Sequence, residues 1–441
     1  MPIRGMLLVG FFLASLPVCL MRPFYGVFLW TVVAFVNPQW YTWSAASALP
    51  WALVVAIPTM VGMLVFAGGW SRLSSRESLL LFAFWLWTCL TSIISTHTPV
   101  FVHHAGDTWY RWEFVSKILL MTFVTIVVIR DFRQFHVFLR ILGGCFGIFV
   151  IKTLPFVILT AGQFRVYGPP NSMIADNNDF GLALNMTLPL FFFLAQVETN
   201  PWLKRLFWFL FVATIPSILF TYSRGAMVGL LALLGLMFLQ LKQRLLLIPV
   251  MVIGLIAGLI FAPENWRNRM DPTRKDAVDL SAQSRLNAWA FAWNLASDFP
   301  LTGGGYATFT PELFHHYAPN VHDIHGAHSV YFQVLGEHGF PGLLLYLTLV
   351  FSSFRTTRTL VREARARGDL EVAHYANMLW FSMVGFLVSG LFLGRAYFDY
   401  YYSIVAALVV LKDLAIRDWA HNEAEEMAEN EETLEALPAG G

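Results

Sequence analysis

The sequence predicts an all-α, polytopic membrane protein with about 12 transmembrane helices and one long extramembrane loop that carries short amphipathic helices. Three observations lead there. Of the 441 residues, 57% are hydrophobic and only 13% are charged, whereas a water-soluble domain carries about a quarter charged residues. Apolar runs of roughly 15 to 20 residues recur along the chain, the length a helix needs to cross about 30 Å of hydrocarbon. Segments of about ten residues that alternate apolar with polar, the mark of a membrane β-barrel, do not occur.

The predicted spans fall at roughly 5–20, 24–36, 49–67, 78–95, 114–129, 137–161, 180–196, 205–221, 225–241, 245–262, 339–355, 374–394 and 398–413. The first follows Arg4 and precedes no small-residue cleavage pattern, so it reads as a retained helix. Arg22-Pro23 marks either a hairpin or a broken helix, which leaves the side of the N-terminus open. Cys19, Cys89 and Cys145 each lie inside an apolar run, so no disulfide framework or thiolate metal site is indicated.

Basic residues in short loops stay on the cytoplasmic side. Arg72 and Arg76, then Arg130, Arg133 and Arg140, then Lys204 and Arg205, then Lys242 and Arg244, then the arginines from Arg355 to Arg367 occupy alternate loops and so share one face. The opposite face receives the segments 97–112 and 162–179, the turn at Ser223-Arg224-Gly225, the loop 263–338 and Arg395 to Tyr402. The chain divides into an N-terminal transmembrane region (1–200), central helices (201–262), a loop subdomain (263–338), C-terminal helices (339–418) and a disordered acidic tail (419–441). Within the loop, Ser281 is placed to cap a helix reaching about Asp298, with Leu286, Trp289, Ala290, Trp293 and Ala296 on one stripe.

Polar chemistry concentrates on that second face. Arg224 sits between two apolar runs, where a guanidinium offers five fixed donors and a permanent charge suited to a phosphate carried by a lipid, or simply snorkels to water. Arg285, beside the apolar stripe of the loop helix, has the same two readings. Arg165 adds a third cation, followed by Asp176-Asn177-Asn178-Asp179, a run that also suits a turn and helix cap. Six histidines crowd residues 315–338. The spacing of His322, His325 and His328 spreads them around a helix and no cysteine accompanies them, so a metal site is not expected. His328 reads better as a single general base, because imidazole titrates near neutrality. Lys152 lies inside a predicted span, where an ammonium must pair or face a cavity.

The pattern His328-Ser329, nine residues, then Gly339-Phe340-Pro341-Gly342 resembles the O-antigen ligase superfamily of bacterial inner-membrane glycosyltransferases. Thr221-Tyr222-Ser223-Arg224-Gly225 is similar to its Ser-Arg-Gly segment, and Ser284-Arg285-Leu286 with Trp289 to the arginine of its outer loop. Phe35-Val36-Asn37-Pro38-Gln39-Trp40 and the stretch from Gly168-Pro169-Pro170 to Phe180 are similar to the branch called exosortase-associated O-glycosylation ligases.

The resemblance implies a metal-independent, inverting transfer of a glycan from undecaprenyl diphosphate to a protein or lipid acceptor on the periplasmic side, with no cofactor and no nucleic acid. It implies that Arg224 and Arg285 neutralise the departing diphosphate and that His328 deprotonates the acceptor, with Arg165, Asn178, Asp179 and Ser329 lining the substrate site. A polymerase using the same donor and a transporter of lipid-linked sugars are the competing functions. A cavity opening to the outer leaflet and the periplasm is expected, roofed by the loop that the Gly303-Gly304-Gly305 turn folds back.

Overall fold

The computed structural model describes residues 3–42, 45–240, 248–249, 252–253, 263–270 and 275–435. The expected span 245–262 and the basic residues Lys242 and Arg244 lie largely or wholly outside them. The helices in chain order are α1 (Ile3–Met21), α2 (Pro23–Val36), α3 (Trp51–Phe66), α4 (Arg76–His97), α5 (Ala105–Val128), α6 (Phe132–Leu159), α7 (Asn177–Val197) and α8 (Pro201–Leu219). They continue with α9 (Arg224–Gln240), α10 (Glu264–Met270), α11 (Lys275–Asp298), α12 (Pro311–Tyr317), α13 (Val330–Ala366), α14 (Leu370–Gly390) and α15 (Asp399–Glu435). No strand occurs among the described residues.

Seven of these helices are long and apolar enough to cross a bilayer, and α2, α3 and the described part of α9 are shorter apolar helices. That is fewer full-length spans than the 12 expected. Part of the difference is geometric. The apolar run at 114–129 belongs to α5, whose first turns carry Asp107, Arg111 and Glu113, and α2 and α3 are too short to span a full bilayer thickness.

Helix α7 runs through the middle and is buried along nearly its whole length. Polar atoms inside the bundle tie its neighbours to it, as they must where no water is present to satisfy them. Asn185 Nδ2 donates to the Ala226 carbonyl at 2.8 Å and to Ser389 Oγ at 3.0 Å, joining α7 to α9 and α14. Ser382 donates to the Met186 carbonyl at 2.8 Å, and Thr187 meets the Tyr400 hydroxyl at 3.0 Å. At Gly385 a Cβ would come within 2.7 Å of the Asn185 carbonyl oxygen, so α14 approaches α7 more closely than any side chain permits. Large apolar side chains point outward elsewhere, among them Leu64, Leu86, Ile158, Leu159, Leu344 and Phe351. Such a surface fits lipid, not water.

The loops sort to two ends. At one, Arg72 donates to Asp413 at 2.7 Å and to the Ile126 and Ile129 carbonyls, while Arg417 reaches Ser71. Arg140 pairs with Glu198 at 2.7 Å, and Arg367 with Glu423 at 3.2 Å, at this same end. Arg22, Arg130 and Arg133 line one hollow here, so the α1–α2 turn belongs to this end. The hairpin alternative at Arg22-Pro23 is the one realised, with Pro23 as the first residue of α2.

Three local expectations are corrected. Ser281 does not begin the loop helix, which starts at Lys275. The acidic segment 423–435, expected to be disordered, continues α15 as helix to Glu435. The boundary drawn at 338/339 falls inside α13, because residues 330–338 are already helical and only Gly339, at φ 66° and ψ −171°, interrupts the turn.

Candidate functional site

The site is built at the end opposite the arginine-rich loops. Between α8 and α9 the chain turns through Tyr222, whose φ of 59° is unusual for a bulky residue. Its hydroxyl donates to the Gly162 carbonyl at 2.7 Å, which anchors the turn to the segment after α6. Ser223 Oγ then accepts from the Ala226 amide at 3.1 Å as the N-cap, and Arg224 is the first residue of α9. A guanidinium there adds to the positive end of the helix dipole, with no acidic residue in the first turn to offset it. An anion relieves both.

Arg285 comes from α11. Burial, and then the charge of Arg224, pulls its pKa below the ordinary guanidinium value, so the two cations share one locality. Its guanidinium also lies 5.9 Å from the centre of the Phe392 ring, and a Cβ on Gly225 would meet Phe392 Cβ at 3.2 Å. Phe392 thus packs between the two arginine-bearing elements. Among the described residues neither arginine forms an ion pair.

The chain reaches His328 by doubling back along α11. Gly303 and Gly305 adopt positive φ, and the amides of Gly304 and Gly305 donate to the carbonyls of Gly336 and Glu337 at 2.9 and 2.8 Å. Phe314 then stacks on Phe291. Asn294 donates to the Tyr317 carbonyl, Asn287 to the Asn320 and Asp323 carbonyls, and Trp289 Nε1 to the Ala327 carbonyl at 2.9 Å. The rungs end beside Arg285. His328 itself has φ 43°, a left-handed conformation for a side chain that gains nothing from it locally. It is held between the Ala327 anchor and Gly394, where a Cβ would lie 3.3 Å from the His328 amide nitrogen.

His328 is half-buried. Burial first, then the charges of Arg285, His325 and Arg395, lower its pKa below the usual imidazole value, against a smaller opposite pull from Asp176. The ring is therefore neutral at pH 7 and able to accept a proton. Sequence reasoning gave no role to Arg395. Its guanidinium pairs with Asp179 at 2.5 Å, and although burial works against the charge, that pairing raises its pKa. The pair links the loop after α14 to the start of α7 and sets a third cation near His328. The signal was present in Asp179, which is too far into α7 to be an N-cap.

The remaining predicted residues are placed as follows. Arg165 is exposed, with its guanidinium 5.9 Å from the Tyr222 ring centre. Asp176 is the N-cap of α7 and accepts from both the amide and the side chain of Asn178, so Asn178 serves the cap. Asp179 is buried against Arg395 instead of facing open space. Ser329 is only 1% exposed at the N-cap position of α13, where its carbonyl accepts from the Gln333 amide at 2.9 Å. It supports the position of His328 and offers nothing outward.

Residues 330–338 pack against α11 and α14. Phe332 stacks on Trp289 with centroids 5.0 Å apart, and Val330 packs on Gly390. His325 pairs with Asp323 at 3.0 Å, and among the described residues no three His, Cys, Asp or Glu side chains converge as a metal-ligand set. A cleft of about 670 Å³, lined by Ser284, Asn287, Asn320, His322 and Asp323 among others, opens along α11, but Arg224, Arg285 and His328 do not line it.

Residues 3–199 match a family of unknown function, DUF5935. No curated protein matches the chain. Residues 209–347, a stretch that holds Arg224, Arg285, His328 and Gly339 to Gly342, match the family described as O-antigen ligase. The centre of the chain is therefore similar to O-antigen ligases, which supports the superfamily and a glycan-transfer function in the membrane.

Proposed function

We propose that the protein is a glycosyltransferase of the bacterial inner membrane, acting on its periplasmic face. It transfers a glycan from an undecaprenyl-diphosphate donor to a protein or lipid acceptor by a metal-independent, inverting substitution. The observation that carries this is the grouping of two unpaired guanidinium groups with a neutral imidazole, inside the stretch matched to the ligase family. In the step itself the acceptor oxygen or nitrogen bonds to the anomeric carbon while the bond from that carbon to the diphosphate oxygen breaks. The acceptor proton passes to His328, and the negative charge growing on the leaving diphosphate falls to Arg224 and Arg285. A fixed guanidinium pair supplies there what a divalent ion supplies in other sugar transferases. Within the superfamily we place the chain in the exosortase-associated branch, on its Phe35 to Trp40 and Gly168 to Phe180 segments.

Reconstituted protein given purified lipid-linked donor and acceptor should form the glycosidic bond, with the anomeric centre inverted and with chelator present. Arg224→Ala, Arg285→Ala and His328→Ala should each lower the rate about 100- to 1000-fold while still inserting into the membrane. Arg285→Lys should also be poor, since an ammonium cannot reproduce the forked contact. Flipping of donor without bond formation would reject the enzyme. In a deletion strain, long lipid-linked glycan should accumulate, and single repeat units instead would assign the polymerase.

A further inference from the structure

Lys152 is the residue that this chemistry leaves unused. It lies on α6, about two turns before the helix ends at Leu159, inside one of the helices apolar enough to span a bilayer. Among the described residues no carboxylate pairs with it. An ammonium at such depth needs a counter-ion or a polar cavity. It has a cavity, a cleft of about 250 Å³ walled by Tyr41, Phe149, Lys152, Phe156, Arg165 and Tyr167 among others.

The walls of that cleft contain two cations and no acidic residue. Its rim is apolar and open, with Tyr41, Phe156 and Tyr167 at 40%, 42% and 56% exposure, and Ile148 and Ile151 exposed on the same helix. A ligand that fits must carry negative charge at its head and hydrocarbon behind it. A zwitterionic head would bring an ammonium against two cations. The cleft also adjoins the reaction site, because Arg165 sits over Tyr222, and Tyr222 opens the turn that presents Arg224.

We infer that this cleft is a lateral entry site, in which Lys152 and Arg165 take the phosphate head of the polyprenyl-diphosphate donor from the bilayer before it reaches Arg224 and Arg285. The inference rests on the donor class proposed above. An anionic phospholipid presents similar phosphate chemistry, so the test separates the two sources.

The full chain in phosphatidylcholine nanodiscs is assayed at varied donor concentration. Lys152→Gln should raise KM for the donor about tenfold with kcat within about twofold, the loss of one charge-assisted contact used in capture only. Lys152→Arg should restore KM, and Arg165→Gln should reproduce the defect should Lys152→Gln insert poorly. A polyprenyl diphosphate bearing a photoreactive group should label α6 and residues 162–170, and undecaprenyl diphosphate should compete. Competition by phosphatidylglycerol but not by undecaprenyl diphosphate would overturn the inference, as would unchanged KM and labelling in both variants. Labelling that depends on Lys152 in a protein that transfers no glycan would uphold the cleft and overturn the proposed reaction instead.

Discussion

His328 shows how one residue is tuned by its surroundings. Its conformation is set by Trp289 and Gly394, its protonation by burial and by Arg285, His325 and Arg395, with Asp176 opposing. A base whose pKa lies below the usual imidazole value is active at neutral pH and is lost as pH falls through that lowered pKa. The acid limb of kcat/KM should therefore lie below the ordinary histidine range. Asp176→Asn removes the one carboxylate that favours the protonated ring yet keeps an N-cap of equal quality. It should move the acid limb to lower pH while leaving kcat at neutral pH nearly unchanged. A limb that stays fixed or moves upward would remove His328 as the titrating base.

Helix α13 carries the motif that the sequence made most visible, and the fold gives its glycines a mechanical sense. Gly339 occupies a backbone region essentially restricted to glycine. A Cβ there would also lie 2.6 Å from the Pro300 carbonyl oxygen, which accepts from the Phe340 amide. The bend lets residues 330–338 leave the span axis and lie under α11, carrying His328 to the arginines. At Gly342 a Cβ would meet His338 Cβ at 2.4 Å and the Trp87 ring at 3.3 Å, so α4 packs directly on the restarted helix. Gly339→Ala should destabilise the protein by about 1–3 kcal/mol, read as a lower unfolding temperature in detergent, and should reduce transfer. Gly144→Ala on α6 is the control, since a Cβ there meets nothing within 4 Å and stability should hold or rise.

Across the whole molecule, the ends of the bundle differ in how they treat charge. At the arginine-rich end the buried charges are paired. Arg72, 3% exposed, meets Asp413 and two carbonyls, and Glu77 accepts from Ser352 and Thr356 with Lys412 at 3.6 Å. At the other end Arg395 pairs with Asp179, while among the described residues Arg224 and Arg285 form no ion pair, an arrangement that suits an anion. Removing one member of a buried pair strands the other. Asp413→Asn should lower stability by about 3–5 kcal/mol. The fraction that remains folded should transfer glycan at the normal rate, because the site lies across the bundle. A lowered kcat with unaltered unfolding would contradict this separation of roles.

The sequence by itself determined the material of the fold, an all-helical membrane bundle, because apolar run length reports on hydrocarbon thickness, but it did not determine which runs form full-length spans. Arg224, Arg285, His328 and the Gly339 to Gly342 motif stood out in the sequence by their spacing, and all lie within the stretch matched to the ligase family. Tertiary structure alone decided which polar residues serve as scaffold. Asn178 lies against the Asp176 cap and Ser329 is buried, and spacing carries no information on which way a side chain is covered. Arg395 and the cleft around Lys152 stayed hidden for the converse reason. Asp179 and Arg395 are joined at 2.5 Å across about half the chain, and Lys152 and Arg165 line one cleft only because the segment after α6 folds back over its last turns. Long-range proximity of this kind is fixed by packing among α6, α7, α11 and α14 and leaves no periodic trace in the sequence.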